Sequence, residues 1–224
     1  LHLPIPAYSI ISIAALILCL IFWYTSKNST YLVSTYLVYV LFLLVCISFE
    51  NIIAPFYSEL YGPNVILYNY YANIQLFAYA GFYIAYLQKY NPSTSRVLYI
   101  SLAIVFILVL SILLLSKETH TQIILPAYFT SYGYLILLII LTLRTILKTN
   151  AKLLMQKEFY LAIGNLVFFV CTFPVLTFLN ELVTATNASK VYHDILNVGN
   201  ILVSCSYIAV IVCLKTTTSY IKSL

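Results

Sequence analysis

The sequence predicts an all-α polytopic membrane protein, a bundle of seven transmembrane helices with the N-terminus outside and the C-terminus in the cytoplasm. Three observations predict it. Of the 224 residues, 63% are hydrophobic and only 8% charged, against roughly 25% charged in a soluble domain. The apolar residues fall in seven runs, each long enough to cross a hydrocarbon core of ~30 Å. The basic residues between the runs gather on one side. Nothing is left over for a soluble domain, so residues 1–224 read as a single transmembrane domain.

The first run covers residues 8–24. No basic residue precedes it and no small-x-small cleavage site follows, so a retained helix is expected rather than a signal peptide. The chain opens without Met, and an upstream piece is expected. The second run, 31–51, ends in Glu50 and Asn51 ahead of Pro55. The third, 65–87, reads VILYNYYANIQLFAYAGFYIAYL and holds no charge. A loop with Lys89, Asn91, Pro92 and Arg96 leads to the fourth, 97–115. The fifth, 123–147, carries Pro126 in its first turn, where a proline is tolerated. The sixth, 159–182, contains Pro174, which removes a backbone donor and is expected to kink the helix. The seventh covers 191–214.

Orientation follows from charge. Lys27, Lys89, Arg96, Arg144, Lys148, Lys152, Lys157, Lys215 and Lys222 share one side, and Lys117 and Lys190 take the other. The positive-inside rule makes the richer side cytoplasmic. It also accounts for the net charge of +5 without a nucleic-acid partner. Glu50, Glu59, Glu118, Glu181 and Asp194 are then outer, and Glu158 is inner.

With the topology set, the polar residues gather at one depth. Glu50 closes the second run. Asn69, Asn73 and Gln75 crowd the outer half of the third, with Asn69 and Asn73 one helical turn apart on a shared face. Asn180 and Glu181 end the sixth run, and His193, Asp194, Asn197 and Asn200 open the seventh. The inner half has little comparable beyond Asn165. Amides are costly in lipid and face a bundle interior or a wet cavity, so an outward-opening cup is expected. Its candidate ligand-binding residues are Glu50, Asn69, Asn73, Gln75, Asn197 and Asn200. Against this stands a plainer reading, in which the acids near the surface are solvated and the deeper amides only join helices, at ~0.6–2 kcal/mol per contact. The outer tyrosines, among them Tyr57, Tyr61, Tyr68, Tyr70, Tyr71, Tyr128 and Tyr132, read mostly as an interfacial belt.

No cofactor, metal site or catalytic pair is predicted. The five cysteines sit in apolar runs without a C-x-x-C pair, so neither a disulfide framework nor a zinc site follows. No H-E-x-x-H, G-x-S-x-G or glycine-rich phosphate loop occurs. Arg144, Lys148 and Lys152 recur every four residues, a stripe suited to anionic headgroups or, less simply, to a cytoplasmic partner.

CISFEN at the end of the second run, LYNYYANIQ in the third, EFYLAIGNLVFF in the sixth and ILNVGNILVSCSYIAVIVCL in the seventh carry a resemblance. Together they resemble a group of small seven-helix membrane proteins common in Bacteroidetes and often associated with histidine kinases or response regulators. That group often has an acidic residue near the position of Gln75, where this chain has an uncharged amide. The resemblance implies sensing.

The function expected is therefore a sensory or signalling-accessory protein of a bacterial inner membrane, not an enzyme. The expected partners are the lipid bilayer, a small-molecule or lipid ligand in the cup, and a cytoplasmic or membrane signalling partner, since no kinase-sized segment follows Leu214. The alternatives are a small-molecule transporter and a structural subunit of a larger membrane complex.

Overall fold

The computed structural model describes residues 7–25, 65–117, 119, 122–148 and 157–177, together with residues 42, 45, 53, 57, 60, 198 and 201. The fold is all-α, with no strand among the described residues. Its continuous helices are α1 (Ala7–Thr25), α2 (Val65–Tyr90), α3 (Pro92–Leu115), α4 (Leu125–Lys148) and α5 (Lys157–Thr177). Phe42 and Val45, in the second predicted run, and Val198 and Ile201, in the seventh, are helical too. So are Ile53, Tyr57 and Leu60, beyond the residue 51 at which the sequence pattern ends that second run.

Among the continuous helices, a clear departure from the predicted boundaries lies between α2 and α3. The sequence pattern places a loop from residue 88 to 96, whereas α2 runs on to Tyr90 and α3 begins at Pro92. Local chemistry explains it. Asn91 is the N-cap of α3: its Oδ1 accepts from the Thr94 amide at 3.2 Å and from the Ser93 hydroxyl at 2.8 Å. Pro92 takes the first helical position, where a missing N–H costs nothing. The Asn91 amide donates to Leu87 O at 2.9 Å and its carbonyl accepts from the Ser95 amide at 3.1 Å, so one residue closes both helices. Asn91→Ala is expected to lower stability by about 1 kcal/mol, as loss of an exposed cap does. The measurement is thermal unfolding of the variant beside wild type.

Ring contacts and hydrogen bonds between helices give the packing. Phe77 of α2 meets Phe106 of α3 with centroids 6.2 Å apart, so the pair folds back as a hairpin about Asn91. Ser101 of α3 shares a hydrogen bond of 2.8 Å with the Tyr134 hydroxyl of α4, again antiparallel. Phe129 stacks on Phe173 at 4.8 Å and Tyr132 meets Phe169 at 4.8 Å, setting α4 antiparallel to α5. α2 and α4 therefore run parallel and pack directly on one another. Cys19 and Leu16 bring α1 against the same core.

α2 is the most enclosed helix. Its exposed side is narrow (Tyr70, Ile74, Phe77), and three of its tyrosines, Tyr79, Tyr83 and Tyr86, are almost completely buried. α3 is the reverse. It buries only the stripe Ser95, Leu98, Leu102, Val109 and Leu113 and exposes Val97, Ile100, Ile104, Ile107, Leu114 and Leu115. α3 and α4 are long and apolar enough to cross a membrane. α5 continues through Pro174 to Thr177, so the proline does not terminate it. Residues 178–182 of the predicted sixth helix lie outside the described residues.

Candidate functional site

The buried amide side chains of the core fall at three levels along α2. At the first, Asn69 is fully buried and both faces of its amide are in use. Its Nδ2 donates to Thr119 O at 2.9 Å and to Gln122 O at 2.9 Å, and its Oδ1 accepts from the Ile124 amide at 3.1 Å. A carboxamide has two donor hydrogens and one acceptor oxygen, so both donors and the oxygen of Asn69 are engaged by the backbone of the segment joining α3 to α4. Beside it the Tyr128 hydroxyl donates to Tyr68 O at 2.7 Å. This end of the bundle is held by one side chain from α2 and one from α4.

One turn further in, at ~6 Å along the axis, Asn73 is 5% exposed. Among the described residues neither its Nδ2 nor its Oδ1 has a hydrogen-bond partner. Parallel packing places Ser131 of α4 at a matching depth, because Tyr68 meets Tyr128 and Asn69 meets Ile124 just above. Ser131 is fully buried, and its hydroxyl likewise has no partner among the described residues. An unpaired buried polar group costs ~1–3 kcal/mol. Two such groups at one level mark a place where polar matter is wanted.

The third level lies ~21 Å from Asn69 along α2. There Asn165 of α5 donates from Nδ2 to the Tyr83 hydroxyl at 2.7 Å, and that hydroxyl donates to Leu161 O at 3.4 Å. Asn165 Oδ1 is left without a partner among the described residues. Between the second and third levels an aromatic cluster fills the interior. Phe169 packs edge-on against Tyr79 at 5.5 Å, against Tyr132 at 4.8 Å and against its neighbour Phe168 at 5.3 Å.

The six candidate residues thus fare differently. Asn69 and Asn73 share a buried face, as their spacing predicts, but their situations differ: one is engaged by loop backbone and the other is open. Gln75, two residues beyond Asn73, lies ~160° round the helix from it and is half-buried. Glu50, Asn197 and Asn200 lie outside the described residues, as do Asn180, Glu181, His193 and Asp194. Tyr128 and Tyr132 are core residues rather than members of a surface belt. Sequence reasoning missed Ser131 and the Tyr83 partner of Asn165. Counting depth from the helix ends could have matched Ser131 to Asn73; nothing in the sequence joins Tyr83 to a residue 82 positions away. Among the described residues no group of three or more His, Cys, Asp or Glu could hold a metal ion. No family model, no curated protein and no solved structure matches the chain.

Proposed function

We propose that this chain is a sensory or signalling-accessory protein of a bacterial inner membrane, a seven-helix bundle whose outward polar cup takes a small or amphiphilic ligand. The observation that carries the reading is Asn73, nine-tenths buried with an unpaired amide. In lipid a carboxamide on the outer face of a bundle would be left unsatisfied on every side; turned inward without a partner, it is suited to an incoming one. The membrane part of the proposal rests on α3. A helix with Val97, Ile100, Ile104, Ile107, Leu114 and Leu115 on its open face forms an apolar surface of a kind soluble monomers avoid, and lipid tails cover it at no cost. With the N-terminus outside, the Asn69 end of α2 faces outward, and the cluster of Lys89, Arg96, Arg144 and Lys148 faces the cytoplasm. The likeness to the Bacteroidetes seven-helix group supports a signalling partner over a chemical reaction.

A second reading, transport, is favoured by the Tyr83–Asn165 pair, because it carries polar groups past the aromatic cluster into the inner half. One experiment separates the two. Single cysteines are introduced into a background lacking the five native ones, and intact cells are treated with a membrane-impermeant maleimide. Lys117→Cys and Asn73→Cys should react from outside, and Lys89→Cys only after permeabilisation. Under transport Asn165→Cys reacts from outside as well; under sensing it stays unlabelled. Failure of Asn73→Cys to react while Lys117→Cys does so would remove the cup, and labelling of Lys89→Cys in intact cells would invert the topology.

A further inference from the structure

We propose that Asn73 and Ser131 together bind the headgroup of a neutral amphiphile carrying a hydroxyl or a carboxamide, the chemistry of a monoacylglycerol. The inference rests on the cup reading and names its ligand class. Ser131 supplies the argument that Asn73 alone does not. A serine or threonine inside a helix can satisfy its hydroxyl by turning it onto a carbonyl three or four residues back. Ser95, Ser101, Ser111, Thr130, Thr145 and Thr172 all do so here. Ser131 and Thr142, both fully buried on α4, do not, and their hydroxyls have no partner among the described residues; of the two, Ser131 is the one near the Asn69 end of the bundle. It sits at the depth of an amide whose two terminal atoms are open in the same way.

The class of ligand follows from what these groups can offer. Asn73 presents donors and an acceptor, and Ser131 presents one of each kind. A hydroxyl or a carboxamide answers both, whereas a phosphate or a carboxylate only accepts and an ammonium only donates. Charge decides in the same direction. The charged side chains described on these helices and their junctions, Lys89, Arg96, Lys117, Arg144, Lys148 and Glu158, stand at helix ends, and none lies near the Asn73 level on α2 or α4. An ion entering there would be desolvated with no described counter-charge, a cost of several kcal/mol. Below the two polar residues the interior is packed with Leu76, Ala80, Leu135 and Leu138 and with the ring cluster about Phe169, so only the headgroup enters and the acyl chain stays with the surrounding lipid.

The test uses the full chain in phosphatidylcholine nanodiscs, whose headgroup has no hydrogen-bond donor, and follows thermal unfolding on adding monoolein, oleyl phosphate or methyl oleate. Monoolein well above its Kd should raise the Tm saturably, by about 5 °C or more. Methyl oleate, which accepts but cannot donate, and oleyl phosphate should shift it far less. Ser131→Ala and Asn73→Leu should abolish the monoolein shift. Ser111→Ala, which removes a hydroxyl already bonded to Ile107 O, should keep it. The inference is overturned if oleyl phosphate matches monoolein, if Ser131→Ala retains the full shift, or if none of the three amphiphiles stabilises the wild type. Any of these outcomes with Asn73→Cys still labelled from outside sinks the ligand class and leaves the cup. An unlabelled Asn73→Cys sinks both.

Discussion

Asn69→Leu lowers the unfolding free energy by about 3–5 kcal/mol, an expected result that follows from counting what Asn69 holds. The substitution removes hydrogen bonds to Thr119 O, Gln122 O and the Ile124 amide and returns none. Each backbone group stranded out of reach of water costs ~1–3 kcal/mol, and Gln122 is exposed enough to recover part of its share. Asn69→Asp does no better. It keeps an acceptor for the Ile124 amide but loses both donors and turns a carboxylate toward two carbonyl oxygens. Denaturant unfolding in micelles measures the loss, and hydrogen exchange localises it: the Ile124 amide should lose its protection in either variant while the amides in the middle of α3 keep theirs. Wild-type stability in Asn69→Leu would mean that the α3–α4 connection holds its shape without the clamp.

The second large effect belongs to Phe169. Phe169→Ala is expected to cost about 3–5 kcal/mol, the range for deleting a buried ring. In a bundle surrounded by lipid the transfer of apolar surface drives little, and helices associate through close packing; the cost there comes from lost contacts and the cavity left behind. Phe169 has many contacts to lose, since it meets Tyr79 of α2 and Tyr132 of α4 as well as Phe168 on its own helix. Phe169→Leu fills most of the space and should lose much less. The two variants compared by thermal unfolding separate volume from chemistry. Equal losses would assign the effect to the edge-on ring contacts, each worth ~0.5–1.5 kcal/mol, instead of to the cavity.

These two residues also divide what a reader of the chain can find from what only the folded molecule decides. By itself the sequence determined that the described residues are helical and, for the five continuous helices, close to where they lie, because apolar run length and punctuation are local properties. It determined that Asn69 and Asn73 share a face, since a four-residue step on a helix returns to the same side. The start of α3 at Pro92 was legible too: Asn-Pro-Ser-Thr is a cap followed by a first-turn proline, and the loop assigned across residues 88–96 gave weight to polarity where capping chemistry governed. What no spacing could tell is that Asn69 is spent on a backbone segment beginning 50 residues later, while Asn73, one turn along, finds nothing. The two amides have the same chemistry and the same periodicity. Their difference lies in what the parallel packing of α2 and α4 brings opposite each. At Asn69 it brings a turn whose backbone groups have no helix to satisfy them, and at Asn73 it brings the middle of a helix whose backbone is already paired, with a Ser131 hydroxyl that has no partner among the described residues.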